Sequence, residues 1–302
     1  MAAVAAIIPS ISTVSLHFQA NRKKGFGLDS TRRRRRLNSL VSITRSCLLH
    51  PNAPLLESAA KHTVDTFIKS GMVVGLGSGL ASCMAIQYLG RQLRVGAIKD
   101  IVGISTSVGS ASEAAKAGIP LDHYQDTSQI DFAFNDADII EERTLISVIG
   151  RQRLQGEESI IQEKNILNAA EKLVFIVTEK QYKSGLEGSI PVLIKSFNWM
   201  ETAEEIEDLF LGDAEVWRRP SIGHAGPTGG DFPLITREGH NVLDVIFTSP
   251  ILNLFEVANT LDNIDGVVDH GVISKIPCTA VIASQDGLSI VENPPKNAES
   301  GI

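Results

Sequence analysis

Cysteine is scarce, long apolar runs are missing, and acid is almost absent from the first fifty residues. The three cysteines, Cys47, Cys83 and Cys278, show neither an even count nor a metal-ligand spacing, so neither a disulfide framework nor a zinc site is implied. Cys83 and Cys278 sit in apolar contexts, where a buried thiol is the usual outcome. No stretch reaches the roughly 18 consecutive apolar residues that a spanning helix needs, which argues against a membrane span. With 43% apolar residues in 302, the chain has enough material for one large or two smaller cores.

Charge is divided unevenly. Residues 1–50 hold nine Lys/Arg against one acid, Asp29, whereas residues 51–302 hold 19 Lys/Arg against 34 Asp/Glu. An acidic body repels nucleic acid and anionic lipid, so neither is expected as a partner. The block Arg32 to Arg36 could serve as a nucleic-acid arm, but an acid-poor N-terminus rich in Ser and Arg reads as an organelle transit peptide. A secretory signal fits less well, because the apolar stretch Ala2 to Leu16 precedes the basic residues and Pro9 interrupts it. Pro9, the scattered serines and the solid arginine block favour a chloroplast over a mitochondrion.

From Leu55 the pattern becomes regular. Leu56, Ala60, Val64, Phe67 and Ile68 share one helical face, and Ser70-Gly71 is a stop. Strands are expected at Met72 to Leu76, Ile101 to Ile104, Ile130 to Phe134 and Leu173 to Val177. Helices are expected between them at Ala81 to Leu89, Ser110 to Ala117 and Glu158 to Lys172. Such alternation predicts a Rossmann-like α/β architecture, a parallel sheet with helices on both faces. After Pro191 the texture becomes that of a smaller α+β unit, and Thr279 to Ser284 is expected to rejoin the main sheet. Residues 218–240, rich in Gly and Pro, read as a loop. The expected organisation is a transit peptide over 1–46, a main domain over 51–189 with 271–293, a lid over 190–270 and a tail over 294–302.

Gly75-Leu76-Gly77-Ser78-Gly79 lies between a strand and a helix, where backbone N–H groups and the helix N-terminus favour an anion. A tight turn needing glycine only for packing is the alternative. Leu80 stands where the dinucleotide fingerprint needs its third glycine, and the second strand ends in Ser105-Thr106-Ser107 where NAD binding expects an acid. A sugar phosphate suits the loop better than NAD. Asp138 follows the third strand's carboxyl end, where ligands bind in open α/β sheets; as a bland alternative it caps a helix or sits in a solvated turn. Glu163 points into the apolar arc of Ile160, Ile166, Leu167, Ala170 and Leu173. Burial there would raise its pKa and suit it to take a proton from carbon, although a buried Glu paired with Lys or Arg fits the same pattern.

These segments, in order over residues 55–287, resemble the ribose-5-phosphate isomerase A family. The glycine loop looks like its phosphate loop; Gly103-Ile104-Ser105-Thr106-Ser107 through Pro120-Leu121 looks like its second segment. Leu243-Asp244, Pro250-Ile251 and Gly266-Val267-Val268-Asp269-His270-Gly271 look like its closing one. The resemblance implies interconversion of ribose 5-phosphate and ribulose 5-phosphate through an enediol without metal or cofactor, with a small sugar phosphate as ligand; a homodimer is compatible with it. It implies Glu163 as the base and Asp138 as a catalytic residue holding hydroxyls. Substrate contacts are implied for Ser78, Gly79, Leu80, Ala81, Thr106, Asn135, Asp136, Lys180 and Gln181.

The chain also departs from that pattern. The family's Thr-Gly-Ser-Thr loop is Ser78-Gly79-Leu80-Ala81 here, and its Asp-Gly-Ala-Asp segment is Asn135 to Asp138. Its lysine before the base falls on Ser147 or Leu154, with Arg151 and Arg153 nearby, and a further binding lysine falls on Gln181 beside Lys180. Loss of a donor to the developing oxyanion would lower the rate by about 10² to 10³. Two rival expectations follow: a non-catalytic homologue that binds a sugar phosphate or a partner subunit, and a different acid-base enzyme or transferase on the same sheet.

Overall fold

The computed structural model describes residues 51–125, 128–151, 159–221, 232–274 and 276–293. The expected transit peptide, Cys47, Arg153, Leu154, Glu158, the middle of the Gly/Pro-rich loop and the 294–302 tail lie outside the described residues.

The first helix, α1 (Ala53–Phe67), starts on Pro54, which loses nothing at a position without an intrahelical N–H partner. It buries Leu56, Ala59, Ala60, Thr63 and Val64 at helical spacing. Strand β1 (Val73–Leu76) follows, then α2 (Leu80–Val95), which stops at Gly96 in the left-handed region. After β2 (Val102–Ser105) comes α3 (Val108–Ala117), opened by a reciprocal Ser107/Ser110 capping box and closed by left-handed Gly118. Next come β3 (Leu121–Asp122), β4 (Phe132–Asn135), β5 (Ile139–Glu141), β6 (Ser147–Val148), α4 (Ile160–Asn168) and β7 (Leu173–Thr178). Helix α4 is shorter than its apolar pattern predicts. Ala170 bridges to Ile130 and the Glu171 N–H donates to the Ile130 carbonyl at 2.9 Å, so the chain has already turned toward the sheet.

A 3₁₀ turn over Glu179–Gln181 leads to β8 (Tyr182–Lys183), β9 (Leu186–Ile194), α5 (Trp199–Leu209), β10 (Ala214–Arg218), β11 (Asn241–Ile251) and α6 (Leu254–Asp262). The chain ends through β12 (Val267–His270), β13 (Val272–Ile273), β14 (Cys278–Ser284) and β15 (Gly287–Glu292). Strand β11 runs through Pro250, against the usual rule for an inner strand. Its pairing with β9 shifts register between Phe247 and Ile251, and the bulge spares proline a ladder bond it cannot make.

The main sheet has the order β15-β14-β7-β4-β1-β2-β3, parallel except for the β15 hairpin. The expected return of the last long strand is seen in β14, which pairs parallel to β7. Side chains alternate across this sheet as period two requires. Phe132 and Phe134 enter a core with α1, α2 and α3, while Ala133 enters a second core with α4 residues Ile166 and Leu167. A further sheet, β10-β11-β9-β12, packs with α5 and α6 around Ile190, Val192, Leu243 and Val245. A set of short strands, β13-β6-β5-β8, was not legible as strands at all in the sequence.

Cys278 is buried, which pushes its thiol up to about 12, and it is inert chemistry in a core position. Cys83 is only half-buried, less than its apolar surroundings suggest. Among the described residues no helix is long and apolar enough to cross a membrane.

Candidate active site

Strands β1, β2 and β4 are neighbours, with Leu76 level with Ser105 on one side and Phe134 on the other. Their carboxyl ends therefore bring the Ser78 loop, Thr106 and the Asn135–Asp138 segment together, the place where open parallel sheets form a crevice.

Asn135 joins two of these parts. It is fully buried, its Oδ1 accepts the Ser78 N–H at 2.8 Å, and its Nδ2 donates to Glu163 Oε1 at 2.7 Å. Gly77 permits this closeness: a Cβ there would stand 2.1 Å from the Phe134 carbonyl oxygen and 2.6 Å from Asn135 Oδ1. Glu163 has no exposed surface, as its place in the apolar arc predicts, and Ile160, Ile166 and Leu167 are buried beside it. A buried carboxylate needs polar partners, and the Asn135 amide is one.

Asp136 turns to the other side. Its Oδ2 accepts the Ala81 N–H at 2.9 Å, and its Oδ1 accepts the Ser82 N–H and the Ser82 hydroxyl, each at 2.7 Å. Helix α2 has Gly79 at its N-cap and no local side-chain cap, so Asp136 supplies from β4 what the local sequence lacks. Burial pushes the Asp136 carboxyl up to about 6 against the pull of those three donors, and the Glu163 charge pushes the same way. Thr106 is buried. Its hydroxyl donates to the Leu76 carbonyl and meets Ser78 Oγ, both at 3.0 Å, so it braces the loop.

Asp138 belongs to a different cluster. Its Oδ2 accepts the Arg151 backbone N–H at 2.8 Å, while Arg151 Nε donates to the Ser189 carbonyl. Burial presses the Arg151 guanidinium below its ordinary range, and the charges of Asp138 and Asp244 oppose this. Asp244 itself makes a buried fork with Arg219, whose Nη1 also donates to the Gly150 carbonyl at 2.8 Å. Gln181, at a family lysine position, accepts from the Thr178 N–H at 2.8 Å and donates to the Ala137 carbonyl. It ties the 3₁₀ turn to the Asn135–Asp138 segment. Lys180 is exposed, Leu80 is half-buried against the α1/α2 core, and Ala81 is buried. Ser147, one candidate for the lost lysine, is fully buried on β6.

The sequence reading did not single out Ser82 or the α4 lysine. Lys164 Nζ reaches Asp269 Oδ1 at 2.5 Å and the His270 carbonyl at 2.8 Å, anchoring the helix of Glu163 to β12. His270 accepts the Val272 N–H on Nδ1, so Nε2 carries the proton and donates to Asp262 at 3.0 Å. Burial, with Lys164 adding to it, lowers the His270 pKa to about 4 and keeps the ring neutral. The position of Lys164 directly after Glu163 was the one available signal.

Among the described residues no three His, Cys, Asp or Glu side chains could together hold a metal ion.

The family model for ribose 5-phosphate isomerase A (phosphoriboisomerase A) matches residues 102–287. A relative from Arabidopsis thaliana, named Probable ribose-5-phosphate isomerase 3, chloroplastic, is 28% identical over 93% of this chain and 99% of its own length. Ribose-5-phosphate isomerase A of Gloeobacter violaceus is 32% identical, over 78% of this chain and 95% of its own length. Among solved structures, ribose 5-phosphate isomerase A of Methanocaldococcus jannaschii is 28% identical with a TM-score of 0.68, covering 80% of this chain and 99% of that one.

Proposed function

The chain belongs to the ribose 5-phosphate isomerase A family, and from that premise we propose that Glu163 is the base of its reaction. The protein is an aldose-ketose isomerase that interconverts ribose 5-phosphate and ribulose 5-phosphate. In the forward direction Glu163 removes the proton from C2, the C1–C2 double bond forms as the carbonyl oxygen gains a proton, and the base returns its proton to C1 while the C2 hydroxyl loses its own. The observation that carries this reading is a carboxylate without solvent exposure, oriented by the Asn135 amide at 2.7 Å and standing at the carboxyl ends of β1 and β4.

Asp138 holds substrate hydroxyls, and the Ser78 loop binds through its backbone. Arg151 Nε is committed to the Ser189 carbonyl, whereas its Nη2 is buried without a partner, which makes this guanidinium the candidate to stand in for the missing lysine. If it does not reach the developing oxyanion, the rate is expected to lie about 10² to 10³ below that of a site with a full oxyanion donor. Residues 190–270 act as a lid over the main sheet.

Asn135→Asp tests the assignment. A second carboxylate at hydrogen-bond distance from Glu163 makes the two share a proton, which raises the apparent pKa of the base. The acid limb of the pH profile of kcat/KM should move upward. A profile that does not move would remove Glu163 from the role.

Residues 1–46 are a plastid transit peptide in this reading. The overlap with the relative named chloroplastic, 93% of this chain, is too long to be confined to residues 51–302. A fluorescent fusion of residues 1–60 should enter chloroplasts. Fluorescence left in the cytosol or found in mitochondria sinks this part.

A further inference from the structure

We propose that Asp136 is a specificity-determining residue that occupies the phosphate subsite of this isomerase as an internal anion, so that substrate must displace it. The proposal rests on the reading of the Ser78 loop as the phosphate cradle.

Two observations carry it. First, the free donors at the start of α2 are what an incoming phosphate would use, and those of Ala81 and Ser82 already point at Asp136 carboxyl oxygens, at 2.9 and 2.7 Å. The Ser82 hydroxyl, which would be a third donor, is taken by the same carboxylate at 2.7 Å. Second, Gly79 at the loop's crest has φ +115°, and a Cβ there would lie 2.4 Å from the Asp136 carboxyl carbon, so the carboxylate fills the space above the glycine where an anion would sit. The resemblance, which sets Asp136 against a glycine, motivates the choice of substitution below. A carboxylate and a phosphate cannot share these donors: each hydrogen bond is charge-assisted, and two like charges in one cradle repel. Burial is the main cause of the raised Asp136 pKa, and the Glu163 charge adds to it in the same direction.

Three consequences are expected. Wild-type protein binds ribose 5-phosphate weakly. Inorganic phosphate is a poor ligand for it. The part of the site that faces the sugar is unaffected by Asp136.

The test is calorimetric titration of the full chain and of Asp136→Gly with ribose 5-phosphate, inorganic phosphate and D-ribose. Asp136→Gly should tighten ribose 5-phosphate and inorganic phosphate by about tenfold or more, because like-charge juxtaposition opposes binding by far more than that. D-ribose affinity should not change. In turnover assays KM should fall. Ribose 5-phosphate bound no tighter by a folded Asp136→Gly overturns the proposal, as does an equal gain for D-ribose, which would mean a general loosening of the site. If loss of the helix cap prevents folding, Asp136→Asn decides, since it keeps the shape and removes the charge; it should tighten phosphate in the same direction, by roughly threefold or more, and no gain overturns the proposal. The base assignment is tested separately by Glu163→Gln in the Asp136→Gly background: tight binding with turnover that survives this change refutes the base and leaves Asp136 in its place. Turnover lost with Glu163 but unaltered phosphate affinity does the reverse.

Discussion

Glu163→Gln is expected to lower kcat by about 10²- to 10⁴-fold, the range over which a positioned acid-base group contributes. Glutamine has the shape of glutamate and retains an oxygen for the Asn135 Nδ2 donor that now lies 2.7 Å from Glu163 Oε1. The helix should keep its place, because Lys164 still reaches Asp269 and the His270 carbonyl from the next residue. The ability to accept a proton from carbon is lost. Melting temperature should therefore hold or rise slightly, since a buried carboxylate is replaced by a neutral amide. Affinity for ribose 5-phosphate should stay within a few-fold of wild type, which separates loss of chemistry from loss of binding. Unchanged kcat in the substituted protein would mean that another group takes the proton. No turnover in wild type with retained binding of the sugar phosphate would instead favour a non-catalytic member of the family.

Arg219→Met should destabilise the protein by about 3 to 5 kcal/mol, the usual consequence of leaving one partner of a buried ion pair alone. Arg219 and Asp244 are both nearly closed to solvent, with side-chain exposures of 9% and 8%. They make a two-pronged contact, Nε to Oδ2 at 2.8 Å and Nη2 to Oδ1. Nη1 of the same guanidinium satisfies the Gly150 carbonyl, one residue before Arg151. Removing Arg219 therefore strands a charge and an acceptor together. It also disturbs the segment whose N–H holds Asp138, so kcat/KM should drop as well. The paired change Arg219→Met with Asp244→Leu should recover much of the lost stability, because no charge is left stranded. Chemical denaturation of the three proteins gives the comparison; equal stability of wild type and Arg219→Met would show that the pair is not stabilising.

Periodicity placed the helices and five of the seven strands of the main sheet, all but β3 and β15, since burial of one face leaves a trace at spacings of 3.6 or 2. It identified Glu163 as an acid inside an apolar arc, and the structure closes that arc completely. It predicted that the Thr279 to Ser284 segment would return to the main sheet, where β14 indeed pairs with β7. The strand-glycine-helix order was also legible, because glycine at a tight crossing has no substitute: Gly77 and Gly79 would each drive a Cβ into the Asn135–Asp136 segment.

Strand order decided the rest. That β4 lies beside β1 is a long-range fact, and from it follow the Ser78–Asn135 bond across 57 residues, the Asn135–Glu163 bond across 28 and the Ser82–Asp136 bonds across 54. None of these leaves a local pattern. The sequence offered Asn135 and Asp136 as two neighbouring contacts to one substrate; alternation along the end of β4 sends the first toward Glu163 on α4 and the second toward the start of α2. The short strands β5, β6, β8 and β13 are two or three residues long, too few for any period to show, and exist only because their partners stand ready. Sequence therefore determined which residues are buried and which carry charge, because those properties are local. Tertiary structure alone decided which charge meets which donor, because hydrogen bonds form between residues that the sheet brings together from distant parts of the chain.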